Sequence, residues 1–174
     1  MAMMTPQLMC TQSRIEQLGG LLADRLDAGD ILCLHGPLGA GKSTLARAII
    51  SAMCREVDDI PSPTFTLVQP YLAQQGFEVW HLDLYRLEAA SEVLALGIEE
   101  AFYEACCLIE WPERIAGLLP EGAMHLYIDF GTDGDSRILS LADGGQMPGP
   151  GDTKLAAALA ELAELAEQAE KNAP

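Results

Sequence analysis

Residues 30–43 read DILCLHGPLGAGKS, and this stretch decides the fold. Asp30 to His35 is a short, almost wholly apolar run of strand length. That pattern suits a central strand buried on both faces. It runs into Gly36-Pro37-Leu38-Gly39-Ala40-Gly41-Lys42-Ser43, a full match to G-x-x-x-x-G-K-[ST]. A helix is expected from about Lys42 to Cys54. Strand, glycine loop and helix in succession imply an α/β fold. Glycines allow turns that other residues resist, and the N–H groups of such a loop converge on phosphate oxygens. The helix N-terminus adds the positive end of its dipole. The expected phosphate cradle is Gly36, Leu38, Gly39, Ala40, Gly41, Lys42, Ser43 and Thr44. Lys42 would reach the β- and γ-phosphates, and Ser43 would offer its hydroxyl to Mg2+.

Upstream, residues 13–27 have a helical period. Ser13 with Glu16 reads as a capping box, and Ile15, Leu18, Leu22 and Leu26 form one stripe. Downstream, Thr64–Leu72 and Phe77–Leu84 have strand character and are separated by Gln74-Gln75-Gly76, so an antiparallel hairpin is expected. A helix should follow Ser91, with Glu92 early in its first turn. Ala105 to Ile109 is a second buried strand, closed by Glu110. Met124–Phe130 and Arg137–Ala142 read as two more strands around the turn at 132–135. Three units are expected: 1–142 as the phosphate-loop domain, 143–152 as a Gly/Pro linker, and 153–174 as a C-terminal helix packed on the same domain. Leu155, Leu159, Leu162 and Ala166 give that helix a narrow apolar stripe; a docking helix is the alternative.

The chain has 174 residues, 49% apolar and 21% charged, which fits one globular domain with a sizeable core. Ten basic residues stand against 26 acidic ones, a net charge of −16. So negative a surface repels nucleic-acid backbones and anionic lipid. That argues against a protein whose main job is to grip either one by itself. Five cysteines, an odd number without a Cys-x-x-Cys pair, form no disulfide framework or zinc site and suit a reducing cytosol. Residues 1–10 lack the features of a secretory signal, and no apolar run reaches membrane-spanning length. His35, His81 and His125 have no ligand spacing and read as structural.

Nucleotide hydrolysis also needs an acid for the metal shell and a group that positions water. Such acids commonly end a buried strand beside the phosphate-loop strand. Glu110, after Cys106-Cys107-Leu108-Ile109, and Asp83, after Val79-Trp80-His81-Leu82, both fit. In an acidic chain either could instead be a surface carboxylate. Arg86 is a charge neutraliser or a salt-bridge partner. In Ser62-Pro63-Thr64-Phe65-Thr66, prolines stiffen an exposed loop whose hydroxyl could sense a γ-phosphate, although composition alone reads as a turn. Trp111 either stacks on a ligand or closes the core.

Five blocks occur in order: GPLGAGKSTLARAI at 36–49, SPTFTLVQPY at 62–71, HLDLYRL at 81–87, LGIEE at 96–100 and IEWPER at 109–114. Over roughly residues 10–130 the chain resembles the bacterial TsaE (YjeE) family. The resemblance implies a P-loop NTPase-like three-layer α/β/α fold with a central mixed sheet that includes antiparallel strands. It implies ATP hydrolysis with Mg2+ in the cytoplasm, alongside the TsaB–TsaD heterodimer. TsaD transfers threonylcarbamoyl to adenosine 37 of tRNAs reading A-starting codons, and tRNA is met only through that complex. Carried over by position, Lys42, Asp83, Glu110 and Thr64 are the catalytic set. Ser43 and Glu110 take the metal places, and Trp111 gains weight as a residue near the nucleotide. Ser43 stands where many members have Thr, with the same single hydroxyl. No motif covers 143–174.

Two other readings share the phosphate loop. One is a small-molecule kinase, against which no arginine-rich lid stands out. The other is an ATP-binding interaction module with little hydrolysis.

Overall fold

The computed structural model describes residues 7–54, 57, 59–141 and 153–172. The expected linker at 143–152 lies outside them. The element order is β1 (Gln7–Cys10), α1 (Gln12–Ala23), β2 (Ile31–His35), α2 (Lys42–Met53), β3 (Val68–Leu72), β4 (Glu78–Asp83), α3 (Ala90–Ala95), α4 (Ile98–Glu104), β5 (Cys106–Glu110), a 3-10 turn (Pro112–Leu118), β6 (Met124–Phe130), β7 (Arg137–Ser140) and α5 (Thr153–Lys171).

The strands form one seven-stranded sheet in the order β1-β7-β6-β2-β5-β4-β3. Its centre is parallel: β2 pairs with β5 and β6, and β5 with β4. β3, β7 and β1 join antiparallel. Successive side chains of a strand point to opposite faces, so the apolar runs feed two layers. Leu32, Leu34, Cys106 and Leu108 pack with residues of α1, α2 and α5. Ile31, Cys33, Cys107 and Ile109 pack with residues of α3, α4 and the 3-10 turn. The fold is the three-layer α/β/α arrangement of P-loop NTPases.

On α5, Leu155, Ala158, Leu159 and Leu162 are buried in the core they share with α1. Lys154 Nζ meets Asp30 Oδ2 at 2.6 Å, and Arg25 pairs with Glu161.

Three local expectations shift. The α1 N-cap is Thr11, and no side-chain capping bond forms, so the Ser13–Glu16 box is absent; Leu26 is buried just beyond the end of α1. The strand expected from Thr64 begins at Val68, because 64–67 turn. Pro63 carbonyl accepts from Leu67 N–H at 2.7 Å, and this contact closes the turn against the β propensity of Thr and Phe. The third helix starts at Ala90, where the Glu92 carboxylate accepts from the N–H groups of Glu88 and Ala89 at 3.0 and 2.9 Å.

β2 has its onward connection to one side of the sheet and β6 on the other. Ligands of open α/β sheets bind at the carboxyl ends of strands at such a switch point, and the glycine loop lies there.

Candidate functional site

The loop leaves β2 through Gly36, whose φ is 140°. A Cβ there would lie 2.0 Å from the carbonyl oxygen of Ile128 on β6, so only glycine fits between the strands. Gly41, with φ 117°, turns the chain into α2. α2 then begins with Lys42 and Ser43 pointing back over the strand ends.

Strand parity decides which acids lie beneath them. Cys106, Leu108 and Glu110 share the α2 face of β5, and Val79, His81 and Asp83 share that face of β4. The β4–β5 register sets Asp83 directly opposite Glu110. Both acids are almost fully buried, Asp83 at 5% and Glu110 at 2% exposure. The alternative of a surface carboxylate is therefore wrong for both.

Each acid has its own partners. Glu110 Oε2 accepts from Ser43 Oγ at 2.7 Å, and Oε1 meets His81 Nε2 at 2.8 Å. Asp83 Oδ2 accepts from Thr64 Oγ1 at 2.8 Å and from Ser62 Oγ at 3.3 Å. Its Oδ1 accepts from the backbone N–H of Tyr85 at 3.1 Å. The Lys42 ammonium donates to the carbonyls of Gly36 and Pro37 at 2.7 and 2.8 Å. It also lies 4.1 Å from the centroid of the Trp111 ring. Burial pushes the Lys42 pKa below the ordinary lysine range, while the carboxylates of Glu110, Glu113 and Asp83 pull it back up.

Trp111 and Leu67 are the two non-glycine residues with positive φ among the described residues, at 59° and 63°. Such strain clusters at functional sites. At Trp111 it turns the chain at the end of β5, so that the indole faces Lys42 and Tyr85, the latter with ring centroids 4.9 Å apart. Trp111 packs against the second core cluster and also borders the cavity beside Lys42.

A cavity of about 280 Å³ collects Leu38, Gly39, Gly41, Lys42, Ser43, Thr44, Thr64, Asp83, Glu110 and Trp111. Gly36 and Ala40 stay outside its lining. Gly36 acts through its carbonyl to Lys42, and Ala40 is buried with its carbonyl held by Arg137 Nε at 2.9 Å. Arg86 is turned away, over the exposed ring of Phe65 at 4.6 Å. Arg47 and Tyr85, which no sequence motif singles out, also line the cavity, and His81 reaches it through Glu110. Arg47 lies one helical turn beyond Ser43 on α2, a spacing the sequence displays.

A hard divalent cation takes oxygen ligands. Ser43 Oγ and Glu110 Oε2, side by side at the cavity, fit that demand. No cage of three or more His, Cys, Asp or Glu occurs among the described residues. Mg2+ held with a nucleotide needs none, since phosphates and water fill its remaining positions.

Fold and loop define the class: an α/β protein of the P-loop NTPase type. The family model described as threonylcarbamoyl adenosine biosynthesis protein TsaE matches residues 9–138. The chain is 40% identical over 131 residues to the tRNA threonylcarbamoyladenosine biosynthesis protein TsaE of Rickettsia conorii, covering 75% of this chain and 74% of the relative. The Haemophilus influenzae protein of the same name is 41% identical over 101 residues, 58% of this chain and 63% of that one. The crystal structure of a Bacillus YdiB superposes with a TM-score of 0.62 at 24% identity, covering 92% and 97% of the two chains, and shows the same fold. The chain belongs to the TsaE family, whose members serve tRNA threonylcarbamoyladenosine biosynthesis. No described helix is long and apolar enough to cross a membrane.

Proposed function

We propose that this chain binds ATP with Mg2+ in the Lys42 cavity and hydrolyses it to support threonylcarbamoyladenosine formation at position 37 of tRNAs reading A-starting codons. On this reading it works in the cytoplasm with the TsaB–TsaD heterodimer, which holds the tRNA. The convergence of Lys42, the Ser43–Glu110 pair and the Thr64–Asp83 pair on one cavity carries the proposal. The net charge of −16 agrees with tRNA being held by partners.

Each residue has a definite task. Backbone N–H groups of the loop and the α2 N-terminus bind the phosphates. Lys42 neutralises charge on the transferred phosphoryl. Ser43 and Glu110 would hold Mg2+, which would neutralise phosphate charge there. Asp83, which lines the cavity and is held by Thr64 and Ser62, orients the attacking water. Thr64 links that acid to the turn at 64–67 and gives the turn a means of sensing the terminal phosphate.

ATP turnover measured with Mg2+ and with EDTA tests this reading. Phosphate release with Mg2+, abolished by EDTA, is expected. Transfer of the phosphoryl group to a small-molecule acceptor would make the protein a kinase. Tight ATP binding without turnover would leave a binding module.

A further inference from the structure

His81 is fully buried on β4, two residues before Asp83. Its Nε2 lies 2.8 Å from Glu110 Oε1. An ionised carboxylate only accepts hydrogen bonds, so Nε2 carries a proton and donates it. The other ring nitrogen, Nδ1, is buried without a hydrogen-bond partner. A leucine at this position would fill the space with no orphaned atom, so packing alone does not explain an imidazole here. Register explains the reach. Leu108 lies opposite His81 and Asp83 lies opposite Glu110, so the imidazole extends along the α2 face of the sheet to the far oxygen of Glu110. With Oε1 held by His81, the carboxylate presents Oε2 to Ser43 Oγ at 2.7 Å.

We infer that His81 is a positioning residue: it fixes the rotation of the Glu110 carboxylate so that Oε2 faces the Ser43 hydroxyl and the cation place beside it. This rests on the Mg2+-dependent reading of the site. Outer hydrogen bonds to metal ligands commonly change metal affinity about 10- to 100-fold.

The test compares His81→Gln with His81→Asn. Both amides share burial and polarity, so any folding cost is common to the two. The glutamine amide nitrogen reaches the position of Nε2, and the asparagine amide stops one bond short. Mn2+ binding to the ADP-loaded protein is read by electron paramagnetic resonance, with ADP affinity in EDTA and thermal midpoints as controls. His81→Asn should weaken Mn2+ binding about 10- to 100-fold. His81→Gln should stay close to the wild type, with ADP affinity in EDTA unchanged in both. Wild-type Mn2+ affinity in both variants would overturn the inference. Equal losses in both, tracking a common fall in thermal midpoint, would also overturn it and make the residue structural. A wild-type protein that holds no Mn2+ beyond free ADP would instead defeat the Mg2+ reading itself.

Discussion

The carboxyl ends of β2, β4 and β5 and the flank where α5 lies on α1 are built on opposite principles. At the strand ends Lys42, His81, Asp83 and Glu110 are all buried. Burying charged and polar groups costs stability unless each is closely partnered. Both strained non-glycine residues, Leu67 and Trp111, also lie there. On the flank, Leu155, Leu159 and Leu162 of α5 join Leu18 and Leu22 of α1 in one apolar core. The charges stay at its rim, as Arg25 with Glu161 and Lys154 with Asp30. On the proposed reading the first region gives up stability to hold phosphate chemistry, and the second supplies stability without touching the cavity. Substitutions should therefore separate cleanly into losses of activity and losses of stability.

Lys42→Ala should have the largest effect. Losing the ammonium proposed to neutralise the phosphates should lower ATP turnover on the order of 1,000-fold. The thermal midpoint should change little, because relief of the buried charge offsets the hydrogen bonds lost by the Gly36 and Pro37 carbonyls. A falling midpoint would make Lys42 a structural residue.

Leu162→Ala should do the reverse. Emptying a fully buried site on α5 should cost about 2–5 kcal/mol in chemical denaturation. ATP turnover per folded molecule should remain that of the wild type. A parallel fall in turnover would show that the flank is coupled to the cavity.

Glu110→Gln keeps shape and can still accept from His81, but it sets an amide donor against Ser43 Oγ and removes the charge. Mg2+-dependent turnover should drop about 100-fold, with little change in unfolding free energy. Unchanged turnover would remove Glu110 from the metal place.

Glu161→Ala should matter least. It breaks a partly exposed ion pair with Arg25. Such pairs contribute about 0–1 kcal/mol, and the small loss should shrink further in high salt.

Much of this division is legible in the chain. The run DILCLH followed by the glycine loop predicts the central strand, the turn and α2. An apolar strand closed by an acid predicts both Asp83 and Glu110 as site residues. The 155–159–162 spacing predicts the buried stripe of α5. What stays hidden depends on register. Nothing local in HLDLYRL says that His81 lies beside β5 within reach of Glu110, because a contact between residues 29 apart in sequence is a tertiary fact. The turn at 64–67 is hidden for another reason. Thr64, Phe65 and Thr66 favour strand by propensity, and the turn is closed by Leu67 in a left-handed conformation that its side chain disfavours.

The most direct test of the account is steady-state ATP hydrolysis with Mg2+, alone and with TsaB–TsaD, using Lys42→Ala as the control. The account predicts turnover that rises when the heterodimer is added and disappears in the variant. Turnover that ignores the heterodimer, or that survives in Lys42→Ala, would contradict it.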